Sequence, residues 1–401
     1  MEFPIRGADR RQAMAFPFGR SIVVMKSSSP IYFDNAATSW PKPFGVLSAV
    51  QNALQRQGGN PGRGGHLLSE RAGNLVYQTR ELIADFFGAE PEYVVFTQNC
   101  THALNLALYG VLHKDDHVII SDMEHNSVAR PLAAMAARGF CTYSVAATDA
   151  NDALTLERFR QCITPKTRAI VCTLVSNVTG QILPYREIAA LCRQYGLLFI
   201  ADGAQACGIL PVTLRDGINI LCTAGHKGLY GIMGTGLLVT DGSVAIKPLM
   251  QGGTGSLSAN LVQPDFLPDA LEAGTVNVPG IAALQAGIKW IRQYGLPQLH
   301  QKEEALCQRF LHGLQKLPHA VIDRRAGGVY APVVSFAMKE ESAADTAARL
   351  HDKGFCLRAG LHCAPLAHKA LGTMDGTVRF APSVFNTAAQ VDALLHALRQ
   401  Q

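Results

Sequence analysis

Leu197-Leu198-Phe199-Ile200-Ala201-Asp202-Gly203-Ala204-Gln205 is an unbroken apolar run that closes on an acid and then turns polar. A run of that length, bounded by polar residues, reads as a strand buried on both faces. Three earlier runs have the same character: Tyr93-Val94-Val95-Phe96, His117-Val118-Ile119-Ile120 and Ala169-Ile170-Val171-Cys172-Thr173-Leu174-Val175. Each gives way to polar residues at its C-terminal end, in Gln98-Asn99-Cys100-Thr101, Asp122-Met123-Glu124-His125-Asn126 and Ser176-Asn177. Between the runs lie segments with helical spacing. From Pro184 to Tyr195, Ile188, Leu191 and Cys192 form a stripe at i, i+3 and i+4. Strands alternating with helices predict an α/β fold with a mostly parallel sheet covered on both sides. In such sheets ligands bind beyond the carboxyl ends of the strands, so one pocket is expected to collect Thr101, His125, Asn177, Asp202 and Lys227.

Lys227 stands in Thr223-Ala224-Gly225-His226-Lys227-Gly228. A single lysine is usually a solvated surface residue and a single Asp-Gly pair a turn. An amine beside a histidine, together with an acid closing a buried strand, is what a pyridoxal 5′-phosphate (PLP) enzyme requires. The amine holds the cofactor covalently, and the carboxylate keeps the pyridine nitrogen protonated so that the ring can accept electrons.

At 401 residues the chain is too long for one simple core, and two domains are expected. With 48% apolar and 17% charged residues it reads as a compact globular protein rather than a disordered or fibrous one. No run approaches a membrane span. Of the net charge of +5, residues 1–30 carry +3, from five basic and two acidic side chains, so the remainder implies no polyanionic partner. Basic patches with interleaved aromatics are absent, which argues against nucleic-acid binding. The Arg-rich segment 1–30, with Phe16-Pro17-Phe18-Gly19 and a short Ile22-Val23-Val24 run, lacks the longer apolar core of a secretory signal; a transit peptide is an alternative, and the segment reads as an extension without assigned function.

Ten cysteines without a Cys-x-x-Cys pair indicate neither a zinc site nor a disulfide framework, and they fit a reducing cytoplasm. Cys172 and Cys222 have apolar neighbours and read as buried hydrophobes. Cys363 differs. It lies in Arg358-Ala359-Gly360-Leu361-His362-Cys363-Ala364-Pro365, a loop by its Gly and Pro, with Arg358 and His362 near enough in sequence to favour a thiolate.

These segments resemble the class V aminotransferase family, and within it the cysteine desulfurases that carry a short, ordered loop for the catalytic cysteine. From Ile31 onward the landmarks run in family order: Tyr32-Phe33-Asp34-Asn35-Ala36-Ala37-Thr38, Glu124-His125-Asn126, Val175-Ser176-Asn177, Asp202-Gly203-Ala204-Gln205, Gly225-His226-Lys227, Glu272-Ala273-Gly274-Thr275 and the Cys363 loop. The resemblance implies the PLP-dependent fold type I, with a large domain holding a mostly parallel seven-stranded sheet and a smaller α+β domain at the C-terminus, in an obligate homodimer. The expected divisions are 1–30 for the extension, 31–290 for the PLP domain and 291–401 for the domain with the cysteine loop.

By the same resemblance, Lys227 carries the cofactor and later moves the Cα proton, His125 stacks on the ring, Asp202 pairs with its nitrogen and Gln205 with its hydroxyl. Cys100 and Thr101, at a helix start, and His226 are expected on the phosphate, and Thr275 on the phosphate of the neighbouring subunit. Asn177 and Arg379 resemble a clamp for the substrate carboxylate, with Arg358 nearer the thiol. The implied reaction converts L-cysteine to alanine, with the sulfur passing to Cys363 as a persulfide and from there to an acceptor protein. Three features depart from the pattern: Ala224 in place of a hydroxyl residue, Gly231-Ile232-Met233-Gly234 in place of a Gly-Pro type turn, and Leu361 in place of a second histidine. A selenocysteine lyase acting on L-selenocysteine, another class V aminotransferase or epimerase, and an idle sulfur-trafficking homologue are the alternatives. The stretches Gly58–Gly65 and Gly252–Gly255 lack the strand, G-x-G-x-x-G, helix order of a dinucleotide site. They read as loops at the active-site entrance or dimer interface, with Arg63 to His66 expected to line the partner's pocket.

Overall fold

The computed structural model describes residues 30–62 and 64–400; the extension up to residue 29 and Arg63 lie outside the described residues. In chain order the strands are β1 (Ile31–Tyr32), β2 (Val94–Thr97), β3 (His117–Ser121), β4 (Thr142–Ala146), β5 (Thr167–Thr173), β6 (Leu198–Asp202), β7 (Ile220–Ala224), β8 (Gly236–Thr240), β9 (Ala320–Ile322), β10 (Val334–Met338), β11 (Phe355–Cys356), β12 (Arg358–Gly360) and β13 (Thr377–Phe380). The α-helices are α1 (Phe44–Arg56), α2 (Leu67–Phe87), α3 (Cys100–Val111), α4 (Asn126–Ala137), α5 (Asp152–Gln161), α6 (Tyr185–Tyr195), α7 (Val278–Tyr294), α8 (Leu296–Leu314), α9 (Ala343–Asp352), α10 (Pro365–Leu371) and α11 (Ala388–Arg399).

The main sheet has seven strands in the order β2-β8-β7-β6-β5-β3-β4. Only β8 runs antiparallel to its neighbours, pairing Gly236 with both Thr97 and Ala224. The four runs read as strands from the sequence are β2, β3, β5 and β6. Their side chains alternate between two cores, as pleating requires. Phe96, Ile119, Ile170, Phe199 and Leu221 enter one core with α2, α6 and α7. Val95, Ile120, Val171, Ile200 and Cys222 enter the other with α3 and α4. Both faces are covered, which is why the strands contain no polar alternation. Helix α6 buries Ile188, Leu191 and Cys192 as their spacing predicts.

A second, smaller sheet of order β12-β13-β10-β9 is antiparallel throughout. Its core stacks Phe310 on Phe380 with centroids 4.0 Å apart, alongside Phe336, Leu394 and Leu398. Helix α8 joins the two parts, with Leu299 in the large core and Leu306 in the small one. The start of the described chain also belongs here. β1 pairs with β11, and Phe33 is fully buried in the small core.

Candidate active site

β7 ends at Ala224, the chain turns, and β8 begins at Gly236 beside it. The turn is closed by Gly225 N–H to the Thr235 carbonyl at 2.9 Å and Gly231 N–H to the Gly225 carbonyl at 2.8 Å. Lys227 stands inside it. Burial pushes the Lys227 amine below its ordinary range, opposed chiefly by the negative charge of Asp202 and aided by Arg379 and Arg358. Asp202 closes β6 and is 3% exposed. Its Oδ1 accepts from the Ala204 N–H at 2.9 Å and from the Cys100 thiol at 3.4 Å. Burial holds that thiol well above its usual value, so Cys100 stays protonated and donates.

Asn99 caps α3 by accepting the His102 N–H at 2.9 Å, which leaves the N–H groups of Cys100 and Thr101 without an acceptor among the described residues. Gly236 presses against this cap: a Cβ there would lie 2.6 Å from Asn99 Cα. His125 caps α4 in turn. Its Nδ1 accepts the Ser127 N–H at 3.1 Å and lies 2.8 Å from Ser127 Oγ, which lies 2.7 Å from Thr101 Oγ1. With Nδ1 as acceptor, the neutral ring carries its proton on Nε2. Burial pushes His125 down, against Asp202, so the ring is held neutral. Gln205 Nε2 donates to the Ala36 carbonyl at 2.8 Å. His226 is pushed down to about 4, chiefly by burial, and its Nδ1 is buried without a partner.

The Cys363 loop closes over this group. Asn177 Nδ2 donates to the His362 carbonyl at 2.7 Å, and the Asn126 N–H, next to His125, donates to the Cys363 carbonyl at 2.7 Å. The loop is strained, since neither His362 (φ 48°) nor Cys363 (φ 59°) is a glycine. Cys363 is the one exposed cysteine among the ten, and Arg358 Nη2 lies 3.3 Å from its Sγ. Arg379 lies deeper, 1% exposed, with Nη2 on Asp34 Oδ1 at 2.7 Å, Nη1 on the Asn177 carbonyl at 3.0 Å and Nε unpartnered.

Lys227, Asp202, Cys100, Thr101, His125, Asn177, Arg358, Arg379 and Cys363 therefore converge, and Gln205 lines a small cavity with Lys227. Thr275 does not join them. It lies in a groove with Gln98, Gly234 and Asn277, with Asn60 Nδ2 3.5 Å from its Oγ1. Its loop is fixed by Glu272, which pairs with the buried Arg80 at 2.8 Å and accepts the Phe96 N–H at 2.6 Å. Sequence reading did not single out Ser127, Lys42 or the role of Asp34. Lys42 Nζ donates to the His226 carbonyl at 2.7 Å, and burial lowers it to about 8. The only signal for Ser127 was its place two residues after His125, at a helix start.

These residues suit PLP. Free N–H groups at the start of α3 and the orphaned His226 nitrogen fit a phosphate. A buried carboxylate and a buried amine with a lowered proton affinity fit the ring and its aldehyde. The class V aminotransferase model matches residues 31–394, nearly all of the described chain.

The chain belongs to the class V aminotransferase family.

PLP is the cofactor of this family, and its members set the comparisons for this class V chain. It is 32% identical over 382 residues to "Probable cysteine desulfurase" of Pyrococcus abyssi, and 30% identical over 380 residues to a protein of the same name from Methanothermobacter thermautotrophicus; each match covers 92% of this chain and 94% of the relative. Among solved structures, an apo cysteine desulfurase from Thermococcus onnurineus NA1 superposes with a TM-score of 0.86 at 30% identity, covering 92% of this chain and 94% of that one. The cysteine desulfurase CsdA from Escherichia coli superposes with a TM-score of 0.82 at 26% identity over the same shares. No described helix is long and apolar enough to cross a membrane.

Proposed function

We propose that this chain is a PLP-dependent cysteine desulfurase that converts L-cysteine to L-alanine and takes the sulfur onto Cys363. The observation that carries the reading is the exposed Cys363 thiol, with the Arg358 guanidinium at 3.3 Å, on a strained loop whose carbonyls are tied to Asn126 and Asn177. A transaminase has no use for a thiol there. In this reading Lys227 holds the cofactor covalently, Asp202 the ring nitrogen, Gln205 the ring hydroxyl, and the start of α3 with His226 the phosphate. Bound there, PLP draws electrons from the substrate Cα and so loosens the Cβ–S bond.

Arg379 and Asn177 receive the substrate carboxylate, and Asp34 holds the guanidinium that does so. The Lys227 amine, whose proton affinity burial lowers, takes the proton from Cα. Neutral His125, braced by Ser127, keeps the ring environment free of an extra cation. The Cys363 thiolate attacks the substrate sulfur, the Cβ–S bond breaks, an S–S bond forms, and protonation of the released carbons gives alanine. One thiol and one cysteine thus become one persulfide and one alanine, with no outside oxidant. A thiol of a sulfur-acceptor protein then takes the terminal sulfur from the exposed loop.

Thr275 serves the neighbouring subunit of a homodimer in this reading, and its place in a groove that Lys227 does not line supports that assignment. The exposed apolar face of α1, with Phe44, Leu47 and Leu54, and the exposed Leu261 and Val262 supply surface for it. The test is alanine formation from L-cysteine by the PLP-loaded protein beside its Cys363→Ala variant, with a thiol reductant present. Alanine from the parent and only background from the variant is expected. Equal rates would overturn the role of Cys363, and alanine from neither would overturn L-cysteine as the substrate in favour of L-selenocysteine or another amino acid.

A further inference from the structure

Behind the Cys363 loop sits a second imidazole that the reaction above does not use. His368, on α10, is fully buried, and its ring lies 5.7 Å, centroid to centroid, from that of His362, itself 2% exposed. Each ring is fixed at one nitrogen. His362 Nε2 lies 3.1 Å from the Thr377 carbonyl and 3.2 Å from Thr377 Oγ1, while His368 Nδ1 lies 2.9 Å from both the carbonyl and the hydroxyl of Thr373. The other nitrogens, His362 Nδ1 and His368 Nε2, are buried and have no partner. Two orphaned ring nitrogens on neighbouring rings are unusual, because buried polar atoms are nearly always paired.

The threonines offer a resolution. A hydroxyl can donate or accept, so Thr373 Oγ1–H can donate to His368 Nδ1 and leave the ring proton on Nε2. The Thr373 carbonyl loses nothing by this, because the Gly376 N–H already donates to it at 2.9 Å. On the other ring, the Thr377 carbonyl accepts from His362 Nε2–H and so leaves Nδ1 as an acceptor. We propose that His368 is a positioning residue for Cys363: its Nε2–H is shared with His362 Nδ1, directly after a small ring rotation or through one water, completing a chain Thr373–His368–His362–Thr377. This brace runs from α10 to β13 and holds His362 in its left-handed conformation, and Cys363 is the next residue. The aim of the thiol is thereby set from behind.

The inference rests on Cys363 as the nucleophile, so its test includes a readout that needs no turnover. With the PLP-loaded protein, the rate of Cys363 alkylation by iodoacetamide would be followed against pH, using Cys363→Ala as the blank for other thiols. His368→Phe keeps the ring volume and removes both nitrogens; His368→Gln retains a donor and an acceptor. Expected for His368→Phe is an alkylation profile displaced from the parent, with kcat for alanine down at least about tenfold and KM for L-cysteine unchanged, and for His368→Gln recovery of both. An unchanged alkylation profile and kcat in His368→Phe would overturn the brace. So would equal loss in both variants, which marks simple packing. If His368→Phe does not fold, nitrogen NMR of the parent decides. A proton on His368 Nε2 supports the brace, and one on Nδ1 overturns it. Parent alkylation that responds to His368 while no alanine forms would sink the desulfurase reading alone.

Discussion

Asp34 and Arg379 show how much a single pair carries. Arg379 is almost wholly buried, and among the described residues Asp34 is its one carboxylate partner. Removing one member of a buried pair leaves the other charge uncompensated, at a typical cost of about 3–5 kcal/mol. Asp34→Ala is accordingly expected to lower unfolding stability by about 3 kcal/mol or more in urea titration, and to raise KM for L-cysteine because the guanidinium loses its anchor. Asp34→Asn, which can still accept a hydrogen bond, should lose less. Sequence reading saw Asp34 as a landmark but not as this partner, because the two lie 345 residues apart. Lys227, Asp202 and His125 were legible for the opposite reason. Each sits at or just beyond the end of a buried strand, where the change from apolar to polar marks its place. Ala224 proved to be the buried last residue of β7, paired with Gly236. Where a second histidine was missed at Leu361, the structure supplies an imidazole beside His362 from α10.

Among elements, α3 and β8 depend on one another. A Cβ on Gly236 would collide with the backbone of Asn99, so Gly236→Val must push the cap of α3 away from β8. Expected are weaker PLP retention on dialysis and a lower melting temperature, whereas Asn99→Ala should cost only the cap, about 1 kcal/mol. In the small sheet, Phe310→Ala removes a ring stacked on Phe380 and should cost about 3–5 kcal/mol, measurable by denaturant titration. The strands that escaped notice have physical reasons. β4 is an edge strand whose Thr142, Tyr143 and Val145 are exposed, so it has no continuous apolar run. β8 has only Leu237-Leu238-Val239 as its apolar centre, too short for periodicity to separate strand from helix.

At the scale of the whole molecule, buried acids set the response to pH. Burial raises Glu124 and Glu303 to about 8; Glu303 takes the Tyr230 hydroxyl at 3.2 Å, and Glu124 takes the Thr173 N–H at 2.8 Å. The folded chain therefore binds more protons than the unfolded one between the ordinary value of 4.5 and about 8. Stability from these groups is full below that window and is lost as pH rises through it. Glu303→Gln removes one such proton, and the slope of unfolding free energy with pH should flatten by up to about 1.4 kcal/mol per pH unit. Urea titrations at several pH values across the window check this, and an unchanged slope would show that Glu303 ionises normally.

β1, the first strand among the described residues, pairs with β11, Phe33 packs 4.8 Å from Phe380, and Asp34 holds Arg379. During synthesis these residues emerge early and wait for partners that emerge much later. The seven-stranded sheet, with Lys227 and Asp202, is complete in sequence well before the strand that carries Arg379 leaves the ribosome. Under the proposed function, a chain cut short in that interval would hold the residues assigned to the cofactor, but neither the proposed seat for a substrate carboxylate nor the Cys363 thiol. Translation order would thus withhold the proposed sulfur-handling parts until late in synthesis.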